Sequence, residues 1–146
     1  MLTKIHAFLN SILEQETETP AYDDTIAIVC LLCEVSNADQ TMQPEEVAAI
    51  ENSLCKLLSI DKCKAKELVA IGKEKIQSSN SLFDFTSKLR DLDRQSRINL
   101  ISAMWKVAYA DNHLDPIEEA IIRKVAKLIY VEHSLFIQTK LAVTGL

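Results

Sequence analysis

Apolar residues along this chain return at intervals of three and four, the spacing of one helix face, and that periodicity predicts helices throughout and no strand. Leu2, Ile5, Phe8, Leu9, Ile12 and Leu13 form the first stripe, an amphipathic helix broken by the polar stretch QETETPAYDD. From about Asp24 to Ala38 nearly every position is apolar, which is too long for one strand, so a helix buried on all sides is expected. Asp39 to Gln43 connects it to a helix opened by Pro44, a residue suited to a first turn that needs no amide donor. Val47, Ile50, Leu54, Leu57 and Leu58 give that helix its inner face. A further helix is expected from Asp61 to Gln77, ended by the polar patch SSNS. Ser81 then caps a short helix bearing Leu82, Phe83, Phe85 and Leu89, and Asp93 caps the next, Arg94 to Ala110. A second connection, Asp111 to Asp115, leads to a helix opened by Pro116 with Ile121, Ile122, Val125, Leu128 and Ile129 inside, and His133 to Val143 form the last.

The expected fold class is therefore all-α, a compact bundle of roughly seven or eight helices. A length of 146 residues with 48% hydrophobic content suits one domain with a sizeable core, and only two glycines and three prolines interrupt the helix formers. The domain divides into an N-terminal helix and linker (1–20), a first half (24–78) and a second half (79–146). A formal charge of −5 with no basic run removes the electrostatic attraction that drives nucleic-acid binding. The longest apolar run, Ile26 to Cys33, falls far short of the ~20 residues of a membrane span, and no export signal opens the chain, so a cytoplasmic protein is expected. Cys30-x-x-Cys33 has the spacing of a zinc knuckle or redox pair, but it lies within IAIVCLLC rather than in a polar turn, so both thiols read as small buried hydrophobes.

A shift of 72 residues superimposes the two Asp–Pro connections. Between 35–50 and 107–122, seven of sixteen pairs are identical: Val35/Val107, Ala38/Ala110, Asp39/Asp111, Pro44/Pro116, Glu46/Glu118, Ala48/Ala120 and Ile50/Ile122. Each half thus carries helix, acidic turn, helix, which predicts two related halves packed through equivalent faces. Carboxylates gathered on a tight turn suit a hard cation, weakly held Ca²⁺ or Mg²⁺, with Asp39, Glu46, Asp111, Asp115 and Glu118 as candidate ligands. The second turn, with Glu119 as well, is the richer of the two. Set against the calcium loop of an EF-hand, only its second half is matched, because the first two ligand positions fall on Val107 and Tyr109. The competing reading is structural: Asp115-Pro116-Ile117-Glu118 spells N-cap to N3 of a capping box. Asp111 follows a helix end, where the carbonyl dipoles repel an anion, so it needs a basic group, turn N–H groups or a cation.

The segments LLCEVSNADQTMQPEEVAAIE, MWKVAYADNHLDPIEEAIIRKVAKLIYV and EHSLFIQTK together resemble the TerB-like tellurite-resistance family, in particular its stand-alone bacterial branch. The resemblance spans about residues 24–140. It implies an all-helical domain with pseudo-twofold halves, and its acidic turns as divalent-metal sites at the five residues named above. The family has glycine after each aspartate, where this chain has Gln40 and Asn112, and Gln43 replaces the second acid of the first turn.

His113 reads as a hydrated loop residue and Trp105 as a core anchor. No nucleophile triad, phosphate loop or HExxH motif is present in the sequence. The expectation is a non-enzymatic module with a protein partner, serving stress-related interaction or metal sensing; the alternative is a Mg²⁺-dependent enzyme built on the acidic turns. The first amphipathic helix is expected to pack on its own chain, with a homodimer as the alternative.

Overall fold

A computed structural model describes residues 20–37, 42–78 and 82–146. The expected first helix and the residues Asp39, Gln40 and Ser81 lie outside them. The described residues form seven α-helices and no strand: α1 Pro20–Ser36, α2 Pro44–Leu58, α3 Lys62–Ser78, α4 Leu82–Thr86, α5 Arg94–Ala108, α6 Pro116–Leu128 and α7 His133–Thr144. The all-α expectation holds.

Two helices occupy the middle. Along α1 every residue from Ile26 to Cys33 is buried, and the helix packs against α2, α3, α4, α5 and α6. An α-helix with no polar face is stable only when enclosed in this way. The second central helix, α5, buries Leu100, Ile101, Ala103, Met104, Trp105, Val107 and Ala108 and packs against α1, α2, α6 and α7. Trp105 is fully buried against Phe136 of α7, with ring centroids 5.1 Å apart, so the expected anchor role is correct. The close approach of α3 to α1 depends on Gly72, where an added Cβ would lie 2.6 Å from Cγ1 of Val29 and 3.1 Å from Sγ of Cys33.

Helix ends depart from the sequence reading in a few places. Helix α1 begins at Pro20, four residues before the expected start, inside the stretch read as a break. Proline is at home in a first helical turn, where no amide donor is needed. Asp93 sits at the N-cap of α5 as expected, but its side chain makes no capping bond. Helices α2 and α6 both end in left-handed caps, at Ser59 (φ 55°) and Tyr130 (φ 63°). At the latter the Val131 amide donates to the Ala126 carbonyl (2.8 Å) and the Tyr130 amide to that of Lys127 (3.2 Å). Arg97 donates to the carbonyls of Ile129 and Tyr130 (3.0 and 3.2 Å) and Arg90 to that of Leu128 (3.2 Å), so two cations close the negative end of α6.

Candidate functional site

In the first turn, Glu46 occupies the third position of α2 and is 4% exposed. One of its oxygens, Oε1, accepts from the Gln43 amide (3.1 Å) and from the Ser36 hydroxyl at the end of α1 (3.2 Å). The carboxylate therefore joins the two helices across their connection and satisfies an amide that the helix start leaves unpaired. Asp39, the other candidate ligand of this turn, lies outside the described residues.

The second turn uses its acids similarly. Asp115 is the N-cap of α6, and its Oδ1 accepts from the Ile117 amide at 2.7 Å. Asp111 is exposed, and its Oδ1 accepts from the His113 amide at 3.0 Å. A turn N–H thus supplies the compensation that an anion beyond a helix end requires. Between them Asn112 stands at φ 63°, a left-handed conformation that glycine adopts freely and asparagine tolerates. Glu118 is 2% exposed, and Glu119 pairs through Oε2 with Lys140 (3.0 Å) and Arg123 (3.3 Å). Val107, at the first ligand position of the calcium-loop comparison, is fully buried in the core. Among the described residues no three His, Cys, Asp or Glu side chains converge as a cation would need. Glu46, Asp111 and Asp115 thus each accept from a nearby backbone amide. His113 is exposed, as a loop histidine should be.

The paired thiols sit deep in the core. Burial pushes Cys30 up to about 11 and Cys33 up to about 12, from an ordinary value of 9.0. They are thiols, not thiolates, at neutral pH, in keeping with the reading as packed hydrophobes.

The periodicity did not point to a groove that opens among the described residues. A groove of about 720 Å³ runs between the start of α1, the later turns of α2 and the outer face of α5. Its floor is aliphatic, with Ile28 and Leu100 buried and Leu57, Leu58 and Leu92 half-buried. Its rim carries exposed Asn52, Asn99, Lys56 and Lys106. The volume is that of a ligand-sized cleft, and the apolar floor beneath a polar rim is the usual make-up of a recognition site. The reason for the gap is legible in the sequence afterwards. Helix α2 presents Ala49, Asn52 and Ser53, and α5 presents Ser96, Asn99 and Ala103, at helical spacing, and such short side chains cannot fill the space between two helices. The first acidic turn lies at the far end of α1 from this groove, Ser36 being eight residues or about 12 Å along the helix from Ile28.

Comparison with curated proteins and with solved structures returns no significant match. Among protein families, the model described as tellurite resistance protein TerB matches residues 25–141, from the first turns of α1 into α7. With most of α1, all of α5 and both Asp–Pro connections inside the matched span, the chain belongs to the TerB family.

Proposed function

We propose that this protein is a non-enzymatic docking module of a stress-related, tellurite-resistance-like system, and that it binds an apolar helical segment of a protein partner in the α1/α2/α5 groove. The observation that carries this reading is the groove's composition. Aliphatic floor residues meet amide and hydroxyl groups, with Lys56 and Lys106 on the rim, which suits recognition of an amphipathic helix with acidic flanks. Membership of the TerB family supplies the link to stress physiology. Two related halves, paired by the 72-residue register, remain part of the proposal: each would contribute one central helix, α1 or α5, to the groove wall.

A photo-crosslinking residue placed at Asn52 or Asn99 in native cells tests the reading. The expected result is one reproducible protein adduct from both rim positions and none from Ile117 or Tyr130, which are exposed elsewhere on the surface. Equal capture from all four positions, or turnover of a metabolite by the purified chain, would overturn it.

A further inference from the structure

We infer that the partner helix carries one carboxylate at the edge of its apolar face, received in the groove by the Ser53 hydroxyl and the Lys56 ammonium; this rests on the docking reading given above and names the chemistry that selects the partner. Ser53 is 6% exposed and lines the groove. A serine inside a helix commonly returns its hydroxyl to the carbonyl four residues earlier. The Ser53 side chain does not, and it makes no hydrogen bond to any other described residue. Of the described residues only Trp105 seals an unpaired side-chain polar atom away from solvent, so the Ser53 oxygen opens onto the groove that the residue lines. Lys56 stands three positions on, one turn along the same face of α2, and is exposed on the rim. Its ammonium forms no ion pair with a described residue. Asp24, the acid among the described lining residues, is already engaged. Two free donors whose Cβ atoms lie about 5–6 Å apart, one buried and neutral and the other exposed and cationic, match the two oxygens of a single carboxylate.

The same pair rejects wrong segments. A uniformly apolar helix laid over Ser53 strips water from its hydroxyl and returns no acceptor, a loss of roughly tenfold in affinity or more. The test selects a displayed library of helical peptides of about 14 residues, some 21 Å long, on the full chain, with the apolar face and its two edges randomised. Binding through the groove is recognised by its loss in Asn99→Trp, a change at the exposed rim. Selected peptides should share Glu or Asp at one edge position. Replacing that acid with Gln should weaken binding roughly tenfold to the wild type and far less to Lys56→Gln; replacing it with Leu should do the same to the wild type and far less to Ser53→Ala. If Ser53 and Lys56 serve the fold alone, their variants shift every peptide equally, and that result overturns the inference. Groove-bound peptides without a shared acid overturn it too, yet leave the docking reading standing. No selected peptide, or only peptides that still bind Asn99→Trp, removes both. Displacement of a selected peptide by micromolar dodecanoate, abolished in Ser53→Ala, would hand the two donors to a fatty acid and overturn the helical partner.

Discussion

At the scale of single residues, the tightest constraint is Gly72. An alanine there gains up to about 1 kcal/mol of helix propensity. Its Cβ, however, would meet a methyl of fully buried Val29 at 2.6 Å, and overpacking of this kind costs ~1–3 kcal/mol. Gly72→Ala should therefore lower stability by about 1–2 kcal/mol in urea denaturation, and adding Val29→Ala should cost less than the sum of the two single changes. Additive costs would mean that the contact relaxes freely. The buried thiols give a prediction in pH. Between about pH 9 and 11 the unfolded chain ionises Cys30 and Cys33 while the native chain keeps both protons. The unfolded state then binds fewer protons, so stability falls as pH rises through that window and is fully present below it. Replacing both cysteines with alanine should flatten this part of the profile, measured as the denaturation midpoint against pH.

At the scale of elements, the start of α6 tests what its acids do. Asp115→Ala removes the bond to the Ile117 amide and should cost about 1 kcal/mol, while Asp115→Asn keeps an acceptor oxygen and should stay close to wild type. The melting temperatures of wild type and Asp115→Asn should respond alike to millimolar Ca²⁺ or Mg²⁺. A rise confined to the wild type would transfer the carboxylate from the cap to a cation. Helix type and order were legible from periodicity, because enclosure of α1 and α5 demands long apolar runs such as Ile26 to Cys33. Caps at Pro44, Asp115 and Pro116 were legible for a local reason, since they involve residues only a few positions apart. The start of α1 was not, because the polar residues before Asp24 read equally as a break or as a first turn opened by Pro20. Nor was the tie from Ser36 to Glu46 or the arginine closure of α6, which depend on residues brought together from different elements. The position of Asn112 explains a departure noted in the sequence: a left-handed residue follows Asp111, where the family's glycine would adopt the same angle without a Cβ.

For the whole molecule, the consequence of two central helices is a shared interior. Because α1 touches both α2 and α3 of one half and α5 and α6 of the other, neither half can lose its packing alone. Calorimetric and van't Hoff enthalpies should accordingly agree in a single thermal transition, and two resolved transitions would show that the halves unfold independently. The groove was the least legible feature, since a gap between helices is a matter of what side chains fail to fill, and only the facing short residues of α2 and α5 hint at it. The enclosure of α1 also has a consequence during synthesis. Its apolar run, Ile26 to Cys33, leaves the ribosome before the helices that cover it, and roughly 90 further residues must follow before α6 is complete. At ~5–20 residues per second that interval is on the order of 5–20 s. For that time α1 can pack only on α2, α3 and α4, and the surface that α5 and α6 later cover is open to association on the nascent chain.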